Sequence, residues 1–241
     1  MEKIEGIEGI DEMEKMEKIG EIEKTTHLKI VDWRVLSPQE EIANAITHGL
    51  GLIASLIGMP VLIITAWLNG DTLRFVACLI FGITLVTLYA ASTIYHLAPP
   101  SKTKDMLQIV DHAAIFLVIA GSYTPFTLGV MGGLYIWIIM SLIWAIAIAG
   151  IIFKAVAGMR FWRLSVGLYL LMGWMAVLIA PSLVSQLPGA AIGLLIACGL
   201  CYTAGIPFFM HEQMRYAHAI WHIFVIVGSI FHYMAVLLYA T

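Results

Sequence analysis

Charge is scarce in this 241-residue chain. Asp, Glu, Lys and Arg together make up 12% of it, against roughly 25% in ordinary soluble domains. After Glu41 only four acids remain, Asp71, Asp105, Asp111 and Glu212, and no lysine follows Lys154. The missing lysine excludes a light-driven pump, whose retinal needs a Schiff-base lysine in its last helix. Cysteine is equally thin. Cys78, Cys198 and Cys201 all lie in apolar runs, an odd number with no spaced framework, so disulfides are not part of the design. Cys198 and Cys201 make a CxxC in mid-span with no other donor nearby in sequence, which reads as packing. The first 25 residues are charged throughout and lack the apolar core of a cleavable signal.

What replaces charge is a 61% apolar composition gathered into long uncharged runs. A helix needs roughly 20 apolar residues to cross about 30 Å of hydrocarbon. Seven stretches qualify, at about 44–68, 73–97, 106–128, 132–153, 164–180, 190–208 and 219–240. The breaks are readable at Asn69-Gly70-Asp71, Pro99-Pro100-Ser101, Gly132-Gly133, Lys154 to Arg163, Pro181 to Pro188, and His211 to Arg215. The expected fold is an all-α integral membrane protein with seven transmembrane helices, formed by residues 37–241. Residues 1–36 read as a separate charged arm. Its Met and Ile recur every three residues from Met1 to Ile22, a period that winds round a helix instead of facing one side. A low-complexity cytosolic arm is the expectation, with a partner-binding helix as the alternative.

Orientation follows from the basic residues. With the N-terminus cytosolic, twelve Lys and Arg fall inside and only Arg74 outside. That bias puts the N-terminus in the cytosol and the C-terminus outside, the reverse of a G-protein-coupled arrangement.

Within this frame the starts of helices 1, 3 and 7 and the end of helix 2 share one depth, near the cytosolic face. Glu41, His48, Ser92, His96, Asp111, His218 and His222 therefore converge in depth before any packing is assumed. An ionisable group inside a span costs a few kcal/mol unless paired or hydrated, so Asp111 is a functional candidate by default. His218 and His222 are i and i+4, stacked on one helix face, the spacing by which a helix offers two nitrogens to one zinc. Ser92 and His96 share that spacing and add a hydroxyl and a third imidazole. Three histidines and an open position describe a catalytic zinc site, with Asp111 as base or water-orienting partner. Competing readings stay open: helix-end histidines can be merely interfacial, and a protonated Asp can be structural.

The segments EEIANAITHGLG at 40–51, STIYH at 92–96, DHAAIFLVIAGSYTPF at 111–126 and HAIWH at 218–222 resemble the haemolysin III family, the bacterial branch of the progestin and adipoQ receptor superfamily. The likeness runs from about Ser37 to Tyr239. It implies a seven-helix protein of the plasma membrane, a bacterial inner membrane, with a zinc ion (Zn2+) near the cytosolic face. It carries metal-ligand roles to His96, His218 and His222, and water-holding or base roles to Asp111 with support from Ser92. His112, His211 and His232 match no such position. The resemblance further implies a zinc-dependent hydrolase of lipid amides such as ceramides, with membrane lipids as partners and nothing pointing to nucleic acid. The alternative is a receptor or regulator of membrane state with a structural zinc. A pore-forming cytolysin, as the family name suggests, fits seven spans poorly. Substrate and oligomeric state stay open.

Overall fold

The computed structural model describes residues 36–69, 71–211 and 213–241; the arm expected over 1–36 lies, but for Leu36, outside the described residues. Among the described residues eight α-helices follow one another: α1 (Pro38–Leu68), α2 (Thr72–Leu97), α3 (Lys102–Gly129), α4 (Leu134–Ala157), α5 (Trp162–Trp174), α6 (Ala176–Gln186), α7 (Gly189–Met210) and α8 (Ala217–Tyr239). Together α5 and α6 make one span, so seven segments are long and apolar enough to cross a membrane. No strand occurs among the described residues.

The helices begin where side chains can satisfy the free amides of a first turn. Ser37 accepts from the Glu40 amide and Glu40 reaches back to the Ser37 amide, a capping box. Asp71 accepts from the Leu73 and Arg74 amides, and Ser101 from the Lys104 amide. These caps explain why α1 and α3 start earlier than the apolar runs suggested. Their first turns are polar, and hydropathy alone does not register them.

The fifth span departs most from expectation. Instead of ending before Pro181 it bends at Met175 and continues to Gln186 with Pro181 inside α6. The bend restarts the helix, so Pro181 stands in the second turn of a short new segment.

Packing is closest along α1–α2, α2–α3, α3–α4 and α7–α8, and α1 also runs against α8. The α5–α6 span approaches its neighbours at fewer points. Outward faces are apolar: Ile42, Ile46, Leu50, Ile53, Ile57 and Ile64 make an exposed stripe on α1, the pattern of a helix facing lipid. Inside, small residues allow close approach, as membrane interfaces favour. A Cβ added at Gly121 of α3 would land on the Thr84 side chain of α2, and one at Gly51 would meet the Tyr89 ring at 2.5 Å. The Gly51–Tyr89 contact seats α1 on α2 within one turn of His48 and Ser92, and the Gly121–Thr84 contact seats α3 on α2 at mid-span.

Candidate functional site

Ser92 and His96 occupy the last two turns of α2, Asp111 lies in the third turn of α3, and His218 and His222 open α8. The structure brings His96, His218 and His222 together, with one nitrogen from each within 4.8 Å of the others. Ring centroids are 5.2 Å apart for His96 with either partner and 4.6 Å between His218 and His222. His96 and His222 are buried. Asp111 is buried as well, within electrostatic reach of His96 and facing Ser92. Its carboxylate stands beside the imidazole group, not within it.

The hydrogen bonds fix which nitrogens are free. His96 Nδ1 is 2.7 Å from Glu41 Oε2, an acceptor when ionised, so Nδ1 carries the proton and Nε2 keeps its lone pair. His222 Nδ1 lies 3.0 Å from Thr47 Oγ1 and 3.3 Å from the Asn44 carbonyl. A carbonyl only accepts, and the Thr47 hydroxyl is directed at the Ala43 and Asn44 carbonyls. Nδ1 of His222 therefore donates and its Nε2 also keeps a lone pair.

The sequence placed Glu41 at the right depth but gave it no role. The structure joins it to His96 and, 2.9 Å away, to the Lys104 ammonium. An orienting carboxylate on a histidine is the usual outer partner of a metal ligand. Its only signal in the sequence is an acid at the mouth of a span. Thr47 and the Asn44 carbonyl left no signal, because they lie 175 and 178 residues from His222.

The donor set fits a metal ion. His96 Nε2 is buried and has no hydrogen-bond partner among the described residues, an unfavourable state unless something binds there. Neutral imidazoles held by outer hydrogen bonds suit a divalent transition ion.

His112, His211 and His232 stand apart from this group. His112 bonds the Gln108 carbonyl through Nδ1, and exposed His211 bonds the Pro207 carbonyl. His232 gives Nε2–H to the Ser122 carbonyl, with Nδ1 3.8 Å from Cys198 Sγ. The CxxC, which the sequence left without a neighbouring donor, thus meets one from the last span.

The site opens into a cavity of about 490 Å³. His48, Asp111, His218 and His222 form one end of its wall, and Leu183, Val184 and Ile192 lie at the other. The lining between is mostly apolar, and several lining residues are also exposed on the outer surface: Trp174, Val177, Val184, Ile196 and Leu200. The cavity therefore opens sideways between α5–α6 and α7.

Comparisons with known proteins agree with this layout. Residues 36–233 match the family described as Haemolysin-III related. The chain is 41% identical over 201 residues to a protein named Hemolysin-3 homolog from Bacillus subtilis, covering 83% of this chain and 94% of that one. It is also 41% identical to Hemolysin-3 of Bacillus cereus, over 83% of this chain and 92% of the relative. The human protein named Monocyte to macrophage differentiation factor is 30% identical over 211 residues, 82% of this chain and 83% of its own. A match over so much of the length, on a seven-span fold whose motifs meet at one buried site, places this chain in the haemolysin III family of the progestin and adipoQ receptor superfamily.

Proposed function

We propose that this protein is a zinc-dependent hydrolase of lipid amides, with its basic end and site at the cytosolic face of a bacterial inner membrane. The observation that carries the reading is the placement of a three-imidazole group, with His96 and His222 buried, beside a buried carboxylate, with His218, His222 and Asp111 lining an otherwise mostly apolar cavity. His96, His218 and His222 would hold the ion. Zinc, when bound, supplies Lewis acidity toward a carbonyl and lowers the pKa of water.

The chain's own groups do the rest. Glu41, Thr47 and the Asn44 carbonyl hold the imidazoles in the tautomer that presents Nε2. Asp111 takes a proton from the attacking water and delivers it to the departing amine nitrogen as the C–N bond breaks, with Ser92 orienting the water. The apolar wall accepts the acyl chain and keeps bulk water out.

The test compares Asp111→Asn with His218→Ala and His222→Ala. Asp111→Asn should keep near-stoichiometric zinc while amide hydrolysis falls roughly 100-fold or more. The histidine variants should lose zinc as well, because metal binding is part of folded-state stability. A second reading, a receptor with structural zinc, is favoured by one feature: the ligands and their outer partners staple α1, α2 and α8 together. It stands if Asp111→Asn loses zinc and stability as the histidine variants do, and the parent turns over no lipid amide.

A further inference from the structure

A bound ion would satisfy His96 Nε2, and Ser92 would meet its water, but two polar side chains beside them would still lack partners. Asn44 and His48 are i and i+4 on α1, so they share one helix face. They are 1% and 4% exposed. All four of their side-chain polar atoms, Asn44 Oδ1 and Nδ2 and His48 Nδ1 and Nε2, are buried without a hydrogen-bond partner among the described residues. Buried polar atoms are nearly always paired, and four adjacent exceptions on one face point to a missing group. Neither residue belongs to the metal-capable group, so a metal does not resolve them.

Their position says what the missing group is. The His48 ring lies flat on His222, with centroids 3.4 Å apart and planes 13° apart, and its other neighbour is the edge of Tyr89. His48 is also part of the cavity wall, at the same end as Asp111, His218 and His222. Anything held by His48 therefore sits against the imidazole group, at the polar end of an otherwise apolar chamber. A neutral imidazole offers one donor and one acceptor, and an amide side chain offers both. The matching ligand is an uncharged head with both functions, on a chain that fills the apolar part.

We propose that His48, backed by Asn44, is a polar subsite that hydrogen-bonds the head of a bound lipid and so registers it against the metal-capable histidines. The head class, a secondary amide with a neighbouring hydroxyl, rests on the hydrolase reading above. The subsite itself rests on the unpaired atoms and the cavity. His48 would act by positioning the reacting group, not by moving protons.

The test uses the full chain, zinc-loaded in lipid nanodiscs, in an Asp111→Asn background so that bound lipid persists. His48→Phe keeps an aromatic ring on His222 but removes both nitrogens, and Asn44→Leu removes the amide at similar volume. Binding is measured for C16 ceramide and for hexadecyl methyl ether, which has the chain but no donor. His48→Phe should weaken ceramide binding about 10-fold, the worth of one or two hydrogen bonds, and Asn44→Leu by less. Ether binding should stay within twofold, with zinc content and melting temperature equal to or above the parent's. Unchanged ceramide affinity, an equal loss for both probes, loss of zinc, or no ceramide binding by the parent overturns the subsite. With Asp111 restored, a parent that binds ceramide without cleaving it sinks the hydrolase and leaves the subsite. Cleavage with His48→Phe unchanged in KM does the reverse.

Discussion

Replacing Glu41 with alanine would strip the Nδ1 partner from His96 while leaving every metal-capable nitrogen in place. The contact is short, 2.7 Å, as expected of a charge-assisted bond, and it sets both the ring's orientation and its tautomer. Loss of an outer partner of this kind typically weakens metal binding 10–100-fold, which is about 1.4–2.8 kcal/mol. The Lys104 ammonium holds the other carboxylate oxygen at 2.9 Å, and both side chains are partly exposed, at 15% and 20%. That ion pair touches neither ring nitrogen of His96, so losing it should cost less zinc affinity than losing the Glu41 contact itself. The variants should therefore rank in zinc affinity as Lys104→Met above Glu41→Gln above Glu41→Ala, since glutamine still accepts from Nδ1–H without the charge. Equilibrium competition against a chelating dye, on protein in micelles, measures the constants. Melting curves at fixed free zinc supply an independent check, because each tenfold loss of affinity removes about 1.4 kcal/mol of metal-linked stability when the ion is in excess. Zinc affinity for Glu41→Ala within twofold of the parent would refute the orienting role, as would Lys104→Met matching it.

Gly121→Val forces a branched side chain onto Thr84 where α3 meets α2; overpacking there should destabilise by about 1–3 kcal/mol, read as a lowered melting temperature, and an unchanged one would show that this interface is loose. Starting from a variant with Cys78, Cys198 and Cys201 replaced, a cysteine at Arg160 should be shielded from an impermeant thiol reagent in intact cells and one at Thr241 should label. The opposite pattern would reverse the proposed orientation. Gly199 lies at the cavity wall with open space where a Cβ would go, so Gly199→Phe should narrow the side opening and slow uptake of a fluorescent C16 ceramide several-fold without changing zinc content. Equal uptake would place the route elsewhere.

Seven spans were legible because a bilayer demands runs of a fixed length, and that demand leaves its mark on composition. The imidazole pair on α8 was legible because i and i+4 share a face on any helix. Asp111 stood out as the sole acid well inside an apolar run. The helix starts were shifted because Ser37 with Glu40, and Ser101, cap through hydrogen bonds, which hydropathy does not record. The interruption at Met175 was hidden because its one marker, Gly173, stands inside an unbroken apolar run, and the proline that drew attention, Pro181, lies beyond. The outer partners were hidden for another reason. Glu41 meets His96 across 55 residues of sequence, and Thr47 and Asn44 meet His222 across 175 and 178. Depth could be reckoned from topology, but which faces turn toward one another depends on packing such as Gly51 against Tyr89.

The side opening between the α5–α6 span and α7 changes what concentration means for this protein. A molecule that enters there arrives by sliding within the leaflet, never crossing water. Its supply is then set by its mole fraction among neighbouring lipids and by lateral diffusion, and adding more membrane at constant total amount dilutes it. Rates would fall as inert phospholipid is added to reconstituted vesicles, even while the molar concentrations in the tube stay fixed. Stirring or bulk viscosity would matter little, whereas acyl-chain order around Trp174 and Leu200 would act as a throttle on arrival.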